Sequence, residues 1–346
     1  MTESSDKPSR RPRYRGTHPR QFGEKYKELQ PEKYAEDVAK VLASGKTPAG
    51  THRSIMVREI LDALRPRAGD AAVDCTLGYG GHSRELLKKI QPGGRLIAID
   101  NDPLELPKSE ARLRTLGFPE ESLVVVRTNF AGLARAIGEH APQGVDMLLA
   151  DLGLSSMQID DPARGFSYKQ EGPLDMRMNP LRGHSAAQWL AEVTEEQLAR
   201  TLYENADEPQ AAALAEKILH AQGRSPLLTT QTLVDVIQRA MPRSSDEAVK
   251  ETLQRVFQAI RIAVNDEYGV LDALLRQLPQ CVRSEGRIAI LTFHSGEDRR
   301  VKAAFKQGLA AGVYSDIAED VVRASLDEQH ANPRSRPAKL RWAIRS

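Results

Sequence analysis

Residues 73–87 read Val-Asp-Cys-Thr-Leu-Gly-Tyr-Gly-Gly-His-Ser-Arg-Glu-Leu-Leu. A short apolar start meets an acid, Asp74, then glycines at 78, 80 and 81, then a helix-like run. Glycine lets the backbone turn sharply and approach a ligand closely. A helix starting near His82 or Ser83 aims its positive N-terminal end at the same place. The stretch reads as a strand, a nucleotide-cradling turn and a helix. The dinucleotide fingerprint Gly-x-Gly-x-x-Gly is not met, because Ser83 stands where its third glycine would be. That argues against a dehydrogenase and favours a smaller nucleoside cofactor. Taken alone, the loop is a weak signal, and a turn without a ligand is its alternative reading.

Outward from this loop, strands and helices alternate. Strands are expected at Ala71–Cys75, Arg95–Asp100, Ser122–Arg127 and Val145–Asp151, with helices at Ser83–Ile90, Leu104–Leu116 and Phe130–His140. Continuous apolar strands between amphipathic helices predict a parallel sheet covered on both faces. Helical spacing also covers Ile55–Leu64, ended by Pro66. Between 158 and 254 no convincing strand occurs, only helical patterns around 185–203, 208–222, 229–240 and from 246 onward. The rhythm resumes with a strand at Gly286–His294, a helix over 297–310 and a last strand at Leu340–Ile344. The expected fold is α/β, with domain segments 46–157 and 255–346 interrupted by a helical insertion at 158–254.

Chemistry gathers where the strands end. Asp100 ends the second strand, placed to take both hydroxyls of a ribose. Asp102 precedes Pro103 and reads as a helix N-cap. Phe130 can stack on an adenine or pack in the core. Asp151 ends the fourth strand beside this cofactor position, where a transferase meets its acceptor. An exocyclic amine of a base is a poor nucleophile because its lone pair is conjugated with the ring. A carboxylate holding its N–H favours attack on a sulfonium methyl, so Asp151 is the candidate for positioning or proton acceptance; its alternative role is to fix the loop. Arg164 and Arg177 are candidate phosphate contacts and Phe166 a base-stacking residue, unless Arg–Asp pairing simply ties their loops together. Gln258, Arg261 and Asn265 fall roughly on one helix face. His294 ends the later strand on the same edge and is a candidate substrate-pocket or catalytic residue, with a structural role equally open.

These stretches together resemble the bacterial 16S ribosomal RNA cytosine-N4 methyltransferase family (RsmH, also called MraW). The matching segments are Asp74 to Ser83, Asp100-x-Asp102-Pro103, Asn129-Phe130, Asp151 to Gln158, Asp160 to Ser167, Gly172 to Met178, Phe257-Gln258-Ala259 and Phe293-His294-Ser295. The Pro173-Leu174-Asp175-Met176-Arg177-Met178 run is highly specific. The resemblance implies a Rossmann-like, class I, S-adenosylmethionine-dependent methyltransferase domain with an inserted substrate domain. It implies that Gly80, Gly81, His82, Asp100, Phe130, Asp151 and Gln158 line the cofactor site, while Arg164, Phe166, Arg177, Gln258 and Arg261 stand, from their residue types and placement, as the candidate RNA contacts. The implied target is a cytosine at the decoding centre of the small ribosomal subunit. The chain departs from the family pattern at 205–208, at 252–256 and at Gly296, all on the expected substrate side. A paralogue acting on another RNA or DNA base, or a non-catalytic RNA-binding assembly factor, therefore stays open.

Bulk composition agrees with a globular enzyme. The 346 residues are 40% hydrophobic and 28% charged, with a formal net charge of +2. Charge is uneven, because residues 7–20 carry six Lys and Arg and no acid. Residues 1–45 are thus expected to form a basic arm, either a phosphate contact or a solvated tail. Cys75 and Cys281 are the only two cysteines, and the eight histidines are scattered. No disulfide framework or metal cluster is expected. No apolar run approaches a membrane span. A cytoplasmic protein is expected, with no membrane partner and a homodimer left open.

Overall fold

The computed structural model describes residues 54–346, so the basic arm expected over residues 1–45 lies outside the described residues. Helix α1 (Val57–Leu64) precedes β1 (Ala71–Asp74), α2 (Gly81–Ile90), β2 (Arg95–Asp100), α3 (Leu106–Arg114), β3 (Leu123–Arg127), α4 (Leu133–His140) and β4 (Val145–Asp151). A short α5 (Ser156–Asp160) leads into α6 (Ala186–Glu192), α7 (Glu195–Ala206), α8 (Ala211–Arg224), α9 (Thr230–Ala240) and α10 (Asp246–Asn265). Then come α11 (Glu267–Cys281), β5 (Val282–Thr292), α12 (Ser295–Ala310), β6 (Tyr314–Ile317), α13 (Leu326–Ala331) and β7 (Lys339–Arg345).

The seven strands form one sheet in the order β3-β2-β1-β4-β5-β7-β6. The first five are parallel, and β7 runs antiparallel to both β5 and β6. The all-parallel expectation is thereby corrected at this edge, and β6 is a strand the sequence did not announce. Its four residues, Tyr-Ser-Asp-Ile, hold only two apolar side chains and expose the middle pair, so no buried run marks it.

Successive strand residues alternate between two cores, as the pleat requires. Ile97, Leu148, Ile288 and Ile290 face a core closed by α4, α11 and α12. Leu96, Met147, Ala289 and Leu291 face the opposite core, closed by α1, α2 and α3. Each fully buried Leu or Ile contributes roughly 1.5–3 kcal/mol of transfer free energy, which explains why these strands read as unbroken apolar runs.

The insertion has its own core, including Leu198, Leu202, Ile218, Ile237 and Ile260. The helix expected at 185–203 is two. Val193 is extended, and Thr194 starts α7 with a capping box closed by Gln197. The boundary drawn at 254/255 falls inside α10, whose Leu253, Val256, Phe257 and Ile260 all pack within the insertion. The chain turns back to the sheet at Asp266, in left-handed backbone at φ 48°. Helix α11 then buries Leu271, Leu274 and Leu278 on the sheet.

Candidate active site

Parallel pairing brings the carboxyl ends of β1, β2 and β4 to one edge. Each ends in an acid: Asp100 on β2, Asp74 on β1 and Asp151 on β4, in that spatial order. The glycine loop lies over them. Gly78 and Gly80 have φ of 50° and 83°, a region that favours glycine. Gly78 N donates to Asp100 Oδ2 at 2.7 Å, and Asp102 N donates to Asp100 Oδ1 at 2.8 Å. Burial nevertheless pushes the Asp100 carboxyl up to about 6, against these two backbone N–H groups. Each oxygen has accepted one hydrogen bond and keeps a lone pair for another.

Asp74 is buried and committed to structure. It accepts from Thr76 N at 3.0 Å and from Ser83 Oγ at 2.7 Å, while burial raises its pKa. Thr76 Oγ1 accepts from Asp151 N at 2.7 Å, which ties the end of β4 to the loop. His82, in the first turn of α2, brings Nε2 to 3.3 Å from Asp151 Oδ2. That is an ion-pair distance without hydrogen-bond alignment. His82 Nε2 and Asp151 Oδ1 are thus buried polar atoms with no hydrogen bond among the described residues. Burial opposes charge on the His82 ring, but Asp151, Asp74 and Glu328 outweigh it and its pKa is raised. A Cβ at Gly81 would collide with Ser54 Oγ, so any larger residue there would displace that side chain.

The helix cap expected of Asp102 is corrected: Glu105 is the N-cap of α3, and Asp102 Oδ1 accepts from Leu104 N at 2.9 Å in the turn before it. Its Oδ2 accepts from both Gln158 Nε2 and Arg164 Nη1 at 2.8 Å. Arg164 Nη2 also donates to the carbonyls of Arg177 and Met178. The Asp102 and Arg164 side chains are 2% and 8% exposed, so this node is interior. The phosphate contact expected of Arg164 is corrected: its guanidinium is spent inside the protein. The stacking expected of Phe166 is corrected too, since its ring is buried in the insertion core. Arg177 grips Asp175 with two hydrogen bonds, one at 2.6 Å, and this pairing holds the Asp175 carboxyl low against its partial burial. Gln158 contacts Asp102 and closes the α5 capping box. Phe130 is half-buried at the end of β3, following the Asn129 cap.

His294 follows β5, the strand beside Asp151, and caps α12. Its Nδ1 accepts weakly from Glu297 N at 3.4 Å, and Nε2 lies 3.3 Å from Glu297 Oε1 without alignment. Glu297 is held low, because His294, Phe293 N–H and Arg261 overcome its burial. Arg261 is committed to Glu267 through bonds of 2.8 and 3.0 Å. Gln258 Nε2 donates to Asn205 O, and Asn205 Nδ2 donates to Ala259 O, both at 3.1 Å. Gln258, Arg261 and Asn265 do share a helix face, but their polar groups turn to their own chain. Glu267, His294 and Glu297 form the one group among the described residues with ligand atoms within 4.8 Å of one another. Arg261 holds both Glu267 oxygens, so the group reads as an ion-pair network.

The departures at 205–208, 252–256 and 296 meet here. Glu208, fully buried, receives Arg255 Nε at 2.6 Å. Tyr268 Oη donates to Asn205 O at 3.1 Å, and a Cβ on Gly296 would collide with that hydroxyl. Arg299 and Ser295 both reach Asp207. Sequence reasoning missed Tyr268, Glu267 and Glu297, because nothing in local spacing brings residues near 205, 268 and 297 together.

The edge fits a nucleoside-bearing sulfonium. Asp100 has spare acceptor capacity for two hydroxyls. Along the same edge, His82 Nε2 and Asp151 Oδ1 are buried polar atoms awaiting partners. Comparison with known proteins agrees. A family model described as "MraW methylase family" matches residues 49–346. The chain is 48% identical over 342 residues to ribosomal RNA small subunit methyltransferase H 1 of Lachnoclostridium phytofermentans, covering 97% of this chain and 93% of that protein. It is 48% identical over 351 residues to ribosomal RNA small subunit methyltransferase H 2 of Alkaliphilus metalliredigens, covering 100% of both. It is 38% identical over 309 residues to ribosomal RNA small subunit methyltransferase H of Symbiobacterium thermophilum, covering 85% and 96%.

Proposed function

The chain belongs to the MraW methylase family, and from that premise we propose that it transfers a methyl group from S-adenosylmethionine to N4 of a cytosine in 16S ribosomal RNA, at the decoding centre of the small subunit. The observation that carries this reading is the order Asp100, Asp74, Asp151 along one sheet edge, with Asp74 spent internally and the outer two keeping acceptor capacity. Asp100 takes the ribose hydroxyls. Phe130 covers the adenine, and the Gly80–Gly81 backbone and Gln158 border the remaining part of the cofactor. The bound sulfonium supplies the reactive methyl, so the protein's work is orientation and exclusion of water. Asp151 Oδ1 accepts an N4 hydrogen of the cytosine, which aims the nitrogen and offsets the positive charge it develops.

His294 borders the cytosine from β5. Arg177 and Gln258, less buried than Arg164 and Phe166, are the remaining candidates to face RNA. Arg261 acts through Glu267. The protein works in the cytoplasm, where ribosomal subunits are made. Among the described residues no helix is long and apolar enough to cross a membrane. Deleting the gene and mapping 16S ribosomal RNA by mass spectrometry tests the assignment. The expected result is loss of one N4-methyl at a decoding-centre cytosine, restored by the wild-type gene. An unchanged cytosine methylation pattern overturns it.

A further inference from the structure

Transfer to a neutral amine leaves one proton to be placed. The S–CH3 bond breaks with its electron pair left on sulfur, N4 forms the new N–CH3 bond with its lone pair, and one N4–H bond breaks. One positive charge leaves the sulfur as one proton leaves the nitrogen. The site needs a group that is neutral while the sulfonium is present and cationic after it is gone.

His82 meets that requirement by position. Its Nε2 lies 3.3 Å from the Asp151 carboxylate at the end of β4, and the negative charges of Asp151, of Asp74 at the end of β1 and of Glu328 of α13 all act on the ring. Its ring is 8% exposed, and Nε2 has no hydrogen bond. Asp151 presents Oδ2 to that nitrogen and has Oδ1 unpartnered. Asp151 cannot drift, since its backbone N–H is held by Thr76, itself bonded to Asp74. A buried imidazole and two acids, one buried and one partly exposed, thus act on one another beside the acceptor position. In the free protein, the surrounding acids favour imidazolium. A sulfonium placed on the same edge repels that charge, because buried charges interact strongly.

We propose that His82 is the proton reservoir of the reaction: it gives up its proton when S-adenosylmethionine binds, and the Asp151–His82 pair takes up the N4 proton as the methyl group is transferred. His82 acts through Asp151 as a positioning and proton-holding residue, and the total charge of the pocket stays constant through the step. The inference rests on the assignment of this edge to S-adenosylmethionine.

Calorimetry of the full chain at about pH 6.5, in buffers of different ionisation enthalpy, counts the protons moved on binding. S-adenosylmethionine should release a fraction of a proton approaching about one. S-adenosylhomocysteine, which lacks the sulfonium charge, should release only the smaller fraction that Asp100 gives up to either ligand. His82→Gln should abolish the difference and remove the acidic limb of the kcat–pH profile. Should that variant fold poorly, histidine NMR of the wild-type protein replaces it, with the His82 ring expected to titrate lower with S-adenosylmethionine than with S-adenosylhomocysteine. Equal proton release for the two ligands, or a His82 titration indifferent to which is bound, overturns the proposal. Failure of both ligands to bind the wild-type protein would instead refute the cofactor assignment.

Discussion

At the edge of β1, β2 and β4, the carboxylates of Asp100 and Asp151 keep acceptor capacity unused. At the junction of α7, α10 and α12, the carboxylates of Glu208, Glu267 and Asp207 are each held by an arginine. Both regions are rich in acids, and only the first carries burial without compensation. Burial raises Asp100 and Asp74, whereas Glu297 and Asp207 are held low. Uncompensated charge costs stability, and where it persists it marks a place prepared for a ligand. Compensated charge, as in the junction, builds shape. The helical insertion thus reaches the sheet through paired ions and one tyrosine hydroxyl, while the sheet edge waits for a cofactor.

The contrast is tested most severely at Asp102, beside the sheet edge, where a buried acid is paired as in the junction. Asp102→Ala leaves the Arg164 guanidinium buried with no counter-charge, and breaking a buried pair this way costs about 3–5 kcal/mol. Denaturant titration should show that fall in unfolding free energy; a loss under about 1 kcal/mol would mean the node behaves like a surface pair. Next in size is Asp100. Asp100→Ala removes two hydrogen bonds to a charged group, each worth about 1.5–3 kcal/mol, so S-adenosylmethionine affinity should fall about a hundredfold or more. The same carboxyl sets a pH dependence. Its folded value, about 6, lies above the ordinary 3.8. The folded protein therefore holds that proton more tightly, and stability declines as pH rises across this interval. Cofactor binding needs the ionised form, so affinity should weaken roughly tenfold per pH unit below about 6. Calorimetry across pH 5 to 8 checks both, and a flat profile shared with Asp100→Asn would remove Asp100 from the site.

The smallest effect is expected at the junction. Gly296→Ala forces Tyr268 aside, at about 1–3 kcal/mol for an overpacked position. Tyr268→Phe in the same chain should recover part of it, because the two sites share one contact. Cofactor affinity should not change in either variant. If Gly296→Ala weakens cofactor binding as much as Asp100→Ala does, the separation of the two regions fails.

Much of this was legible in the sequence, and the reason is locality. The strands at 95–100 and 145–151 announce themselves because both their faces are buried, and the order strand, glycine turn, helix at 73–87 is a property of neighbours along the chain. Parallel pairing then brings Asp100 and Asp151 to one edge without further information. The fate of a charged side chain is different. Arg164 and Arg177 look alike in sequence, and both were expected to meet RNA. Only the three-dimensional packing sinks Arg164 against Asp102, 62 residues away. Likewise the altered positions 205–208, 252–256 and 296 look independent until folding brings Asn205, Arg255 and Gly296 around Tyr268 and Glu208. Hydrophobic periodicity and turn chemistry are written in adjacent residues, so the sequence by itself determined the parallel strands of the sheet, the cofactor loop and the class of chemistry. Which charges are paired and which stay open depends on partners dozens of residues away. Only the tertiary structure decided that His82 and Asp151 face each other without a hydrogen bond, while Arg164 turns inward to Asp102.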